Sequence, residues 1–175
     1  HKTKTMTIII LLLTYIICLC APAHAQRNDR ELREKLESMA KSFHGQAGIY
    51  VRHLKKGTTV AINADTLFPT ASMIKVPITI GVMDQIEHGK IGYDTILTYK
   101  DSLLYEGEDI LGSFKSGEKV ALGKVMMLMI TTSDNTASLW CQSLAGGGAA
   151  INAILDANGF KSTRVNSRPP GREAN

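Results

Sequence analysis

The run from Val120 to Ile130 constrains this chain more than any other segment. Val125, Met126, Met127, Leu128, Met129 and Ile130 follow one another, and Lys124 is the only charge in the run. A helix of this composition has no broad polar face, which predicts burial on most sides, with unbranched methionines filling irregular gaps. Other elements must therefore wrap around it. A chain of 175 residues and 19.0 kDa suits one compact domain, or a domain with a missing piece, and not two complete ones. Its 44% hydrophobic and 21% charged residues are those of a folded globular chain and exclude both a disordered tail and a polytopic membrane protein.

The wrapping elements are legible in part. Leu32, Leu36, Met39 and Phe43 recur at helical spacing, and Asn28 with Glu31 offers a capping arrangement, so a first amphipathic helix is expected to end near Gly45. Ala47 to Leu54 and Thr58 to Asn63, separated by Lys55-Lys56-Gly57, read as a β-hairpin. Ile74, Ile78, Val82 and Ile86 predict a second helix after Phe68-Pro69-Thr70-Ala71, with Ser72 in its first turn and a stop at His88-Gly89. Pro77 would then lie inside it, where the lost donor costs ~3 kcal/mol and demands a local kink. Further helices are expected from about Thr136 to Leu144 and from Ala149 to Asn158-Gly159. From Lys161 to Asn175 the chain is polar around Pro169-Pro170-Gly171 and reads as an irregular loop.

The beginning of the chain has a different logic. Lys2 and Lys4 precede an apolar run from Met6 to Leu19, followed by Ala21-Pro22-Ala23-His24-Ala25. That order is a secretory signal peptide over residues 1–25, with cleavage expected before Gln26. An uncleaved anchor fits less well, because the run is short for a bilayer span. Cys20 follows Leu19, which makes a poor site for lipid attachment. The mature chain is thus expected to be periplasmic or secreted, without stable membrane insertion, and to be a monomer. Cys141 alone would remain after cleavage, so no intramolecular disulfide can form and the fold must hold by packing. Lys2 and Lys4 supply two of the formal charge of +4, leaving a mildly basic remainder without a basic stripe interleaved with aromatics. Nucleic acid is not an expected partner. His44, His53 and His88 are scattered without paired ligand spacing, so neither a metal nor a cofactor is expected.

Ser72-Met73-Ile74-Lys75 carries the chemistry. On a helix its hydroxyl and amine share one face, where the amine can accept the serine proton, and helix-start N–H groups favour negative charge on an attacking oxygen. Taken alone, such a pair is common by chance and reads better as a capping serine and a solvated lysine. Ser133-Asp134-Asn135, placed after the apolar helix, changes the balance, because the two motifs occur together in serine enzymes that act on β-lactams and cell-wall peptides. The triplet also suits a helix N-cap before Thr136-Ala137, and both readings can hold together.

Thr70 to Lys75 and Ile130 to Ala137 resemble the corresponding segments of the class A β-lactamases in content and separation. The resemblance implies an α/β (α+β sandwich) domain with an inserted all-helical domain. The first helix and hairpin would occupy 26–70, the helical region with both motifs 71–160, and the start of an omega-type loop 161–175. It implies that Ser72 is acylated by the β-lactam carbonyl, that Lys75 assists its deprotonation, that Ser133 passes a proton to the ring nitrogen, and that Asn135 orients the substrate amide and Lys75. Asp134 would be a structural carboxylate. Two departures accompany it. The family's Lys-Thr-Gly motif is absent, so 26–175 is expected to be an incomplete catalytic domain with its C-terminal part missing. The deacylating Glu-x-x-x-Asn arrangement is replaced by Glu173-Ala174-Asn175, which leaves the equivalence of Glu173 open. The function expected is β-lactam hydrolysis; the alternatives are a D-Ala-D-Ala peptidase and a non-hydrolysing penicillin-binding or sensor protein.

Overall fold

The computed structural model describes residues 29–107 and 109–166, which form two compact units, one ending at Leu67 and the other beginning at Phe68. In the first unit, α1 (Arg30–Lys41) is capped by Asp29, whose carboxylate accepts the Leu32 N–H at 3.1 Å. The expected cap at Asn28 is thus displaced by one residue, to a carboxylate that also complements the positive end of the helix. The helix stops at Lys41, short of Gly45, because the Ser42 hydroxyl donates to the Met39 carbonyl at 2.8 Å and satisfies one of its terminal acceptors. The hairpin forms as β1 (Ile49–Arg52) and β2 (Thr59–Ile62), antiparallel, with Ile49 opposite Ile62 and Arg52 opposite Thr59. Its turn takes Gly57 into the left-handed region at φ 68, the freedom that only glycine has without strain. Thr59 and Val60 are buried and α1 packs on β2, yet no residue of α1 is fully buried.

The second unit holds the core. A single 3-10 turn, Ala71–Ile74, leads into α2 (Lys75–Glu87). Ser72 therefore precedes the α-helix and does not sit in its first turn. This also removes the expected difficulty with Pro77, which is the third residue of α2: first-turn amides have no intrahelical acceptor to reach, so the interior penalty does not arise. Next come β3 (Ile96–Thr98) and β4 (Lys119–Ala121), an antiparallel pair with Leu97 opposite Val120. Val120 accordingly belongs to a strand, and α3 begins only at Leu122 and runs to Thr131. α4 (Asn135–Leu144) follows, and α5 (Gly147–Ala157) starts two residues earlier than Ala149. Asn158-Gly159 closes α5 as its glycine stop predicts, with Gly159 at φ 84.

α2, α3 and α4 pack on one another, and α5 packs on α2 and α4. Ile78 and Val82 of α2, Val125 and Met129 of α3, Trp140 of α4 and Ile151 of α5 are buried together, and Tyr99 meets Phe114 and Trp140 edge-on at 6.1 and 6.2 Å. α3 is less enclosed than its composition predicts, since Met127 and Ile130 stay about half exposed, at 52% and 51%. Gly81 sets the spacing of α2 and α5: a Cβ there would stand 2.7 Å from Ile151 Cγ1 and 3.0 Å from Ala145 Cβ. Among the described residues no helix is long and apolar enough to cross a membrane. Residues 1–25, read as a signal peptide, lie outside the described residues.

Candidate active site

Two segments of the second unit, about sixty positions apart in the chain, converge. The first is the 3-10 turn before α2, which places Ser72 at the surface and turns Lys75 inward, where the residue is only 4% exposed. The second is the link between α3 and α4. Ser133 there adopts φ 59, and Ala71, beside Ser72, adopts φ 44. Non-glycine residues in the left-handed region store about 1–3 kcal/mol each, and such strain gathers where the surrounding structure must aim a side chain. Here it aims both hydroxyls at one point.

The Ser72 and Ser133 hydroxyl oxygens are 2.8 Å apart. The Lys75 amine donates to Ser72 Oγ at 3.3 Å, to Ser133 Oγ at 2.8 Å, to Asn135 Oδ1 at 2.9 Å and to the Ser133 carbonyl. An ammonium has three protons for these four acceptors, so one acceptor must share or, in the neutral amine, become the donor. Burial strips water from the amine and lowers its pKa from 10.5; the charges of Asp109 and then Asp134 oppose that shift. The arrangement suits proton exchange between a buried amine and two hydroxyls on exposed residues, either of which solvent or a ligand can reach.

Asp134 fixes the link. Its buried carboxylate accepts the Ala137 N–H at 2.7 Å, which caps α4, and the Leu111 N–H at 2.8 Å, which ties down the 3-10 turn Leu111–Ser113. Asp109, which sequence reasoning passed over, accepts both the Thr136 N–H at 2.8 Å and the Thr136 hydroxyl at 3.1 Å. Only the packing of Tyr105, Asp109 and Leu111 against the start of α4 brings it there. In the sequence it is one acid among several, near Glu106 and Glu108.

Ser72, Lys75, Ser133 and Asn135 are thus brought together. Glu173 lies outside the described residues. The chain leading towards it is pinned where it leaves α5: Asn152 exchanges hydrogen bonds with the Val165 backbone at 2.8 and 3.0 Å, Arg164 pairs with Asp156 at 2.9 Å, and Gln142 donates to the Asn166 carbonyl at 2.8 Å. Among the described residues no group of three or more His, Cys, Asp and Glu side chains converges as a metal site would require.

The family model described as "Beta-lactamase enzyme family" matches residues 31–175. β-Lactamase VEB-1 of Pseudomonas aeruginosa is 25% identical over 90% of this chain and 52% of its own length. The β-lactamase regulatory protein BlaB of Streptomyces cacaoi is 32% identical over 62% of this chain and 34% of its own. The solved structure of PBP-A superposes with a TM-score of 0.75 at 28% identity, over 82% of this chain and 54% of that one. A variant of PBP-A has been solved as an acyl-enzyme complex with penicillin G. The chain spans about half the length of VEB-1 and of PBP-A. The helix-rich architecture with small sheets is that of the β-lactamase and penicillin-binding folds, and the chain belongs to the beta-lactamase enzyme family.

Proposed function

We propose that the protein containing this chain opens β-lactam rings through an acyl-enzyme on Ser72. One observation carries the reading: a single buried amine, Lys75 Nζ, lies within hydrogen-bond reach of both the Ser72 and Ser133 hydroxyls. The neutral amine takes the Ser72 proton as Oγ attacks the lactam carbonyl carbon. The ring C–N bond then breaks, its nitrogen takes the Ser133 proton, and Lys75 returns a proton to Ser133. Asn135, held on Lys75, presents its remaining amide capacity to the substrate. Deacylation needs a water and a base, and Glu173 is the candidate for that base. The likeness to PBP-A, whose variant was caught as a penicillin acyl-enzyme, supports acylation.

The similarity to BlaB and the altered Glu-x-x-x-Asn pattern favour a second reading, in which the acyl-enzyme forms but does not turn over and the protein binds or senses β-lactams. A chromogenic cephalosporin assay followed by intact mass, on the full-length protein and its Ser72→Ala variant, separates the two. Turnover lost on substitution supports hydrolysis. A stable adduct without turnover supports sensing, and neither result in the wild type sinks acyl transfer. Turnover of a D-Ala-D-Ala stem peptide would instead support a peptidase. Export is proposed from residues 1–25, and a mature N-terminus at Gln26, read by sequencing the secreted protein, tests it.

A further inference from the structure

We propose that Asp109 is a positioning residue for this site, its carboxylate clamping Thr136 so that the adjacent Asn135 keeps its side-chain oxygen on the Lys75 amine. The inference rests on the acyl-transfer reading only for its kinetic consequence. Asn135 is the first residue of α4, and both of its chain neighbours are locked by carboxylates. Asp134, before it, holds Ala137 and Leu111. Thr136, after it, gives both its N–H and its hydroxyl to one oxygen of Asp109, while the Thr136 hydroxyl oxygen accepts the Tyr105 N–H at 3.0 Å. Thr136 is fully buried. Charge-assisted bonds of this kind resist displacement by water and fix the backbone on either side of Asn135 to within the tolerance a proton-transfer contact requires.

Asp109 also acts on the amine across space. The charged residues of the surrounding helices are Lys124 on α3, Asp156 on α5, and Asp84 and Glu87 on α2 itself, with none on α4. Among the described residues the carboxylates that act on Lys75 are Asp109 and Asp134, and both oppose the lowering caused by burial, Asp109 more strongly. Removing the Asp109 charge therefore lets the amine titrate at still lower pH, a change that loss of a mere fold anchor does not produce.

The test uses the full-length protein with lysines carbon-13-labelled at Cε, and follows the Lys75 resonance against pH by NMR alongside the rate of Ser72 adduct formation with a β-lactam. For Asp109→Asn the expected result is a Lys75 titration at lower pH than wild type and a plateau adduct rate about tenfold lower, the loss of one charge-assisted hydrogen bond. Thr136→Val, a milder change that keeps both charges, is expected to lower the plateau several-fold with Lys75 titrating as in wild type. An Asp109→Asn protein whose Lys75 titration does not move overturns the proposal, as does a Thr136→Val plateau equal to wild type. A wild-type protein that forms no adduct, with the Lys75 shift present in Asp109→Asn, counts against the acyl-transfer reading and leaves the positioning role standing.

Discussion

The Lys75 amine meets an amide oxygen of Asn135, at 2.9 Å, where a carboxylate of nearly the same shape would also fit. The choice matters because the amine must lose its proton to act as a base. Asn135→Asp would place a negative charge beside it, hold the ammonium form to higher pH, and move the acid limb of acylation upward. The cephalosporin pH profile of this variant should be displaced to higher pH, with reduced activity at neutrality. A profile superimposable on wild type would mean that Lys75 is not the titrating base.

Asp134 is buried and its two oxygens serve two separate backbone donors. Replacing it by Ala strands the Leu111 and Ala137 N–H groups. The expected cost is about 3 kcal/mol, read as a lower urea midpoint, and the strained Ser133 should lose its fixed geometry as well.

Gly81 leaves no room for a side chain between α2 and α5. Gly81→Val should force the helices apart and destabilise the second unit by about 2 kcal/mol. A thermal melt unchanged from wild type would show that Ile151 can move aside.

Cys141 is fully buried, and burial, followed by the charge of Asp134, pushes its thiol from 9.0 up to about 12. In the unfolded chain the thiol ionises near its ordinary value, so this group's contribution to stability is complete below pH 9.0 and is lost as pH rises towards 12. The advantage of wild type over Cys141→Ala in urea midpoint should therefore be largest at about pH 8 and shrink above it. Thiol reagents should modify Cys141 only at the rate at which the protein opens.

The local elements were legible wherever a periodic pattern met a strong stop. The hairpin around Lys55-Lys56-Gly57 and the end of α5 at Asn158-Gly159 depend on residues a few positions apart, and both form. Boundaries moved where a tertiary partner intervened. Val120 looks like the start of an apolar helix, but pairing with Leu97 draws it into a strand, and β3 itself is too short to announce itself in the sequence.

At the site, the chemical types and their order can be read along the chain: a serine three residues before a lysine, then Ser133, Asp134 and Asn135. Spacing within one turn is a local property, so the Ser72–Lys75 pair could be read directly. That Lys75 is buried, that the two hydroxyls meet at 2.8 Å, and that Asp109 grips Thr136 are decisions of the tertiary structure. Burial depends on which surfaces pack, and the meeting of residues separated by some sixty positions depends on how α2, α3 and α4 cross. No pattern of neighbours along the chain encodes either, which is why Lys75 stood out in the sequence and Asp109 did not.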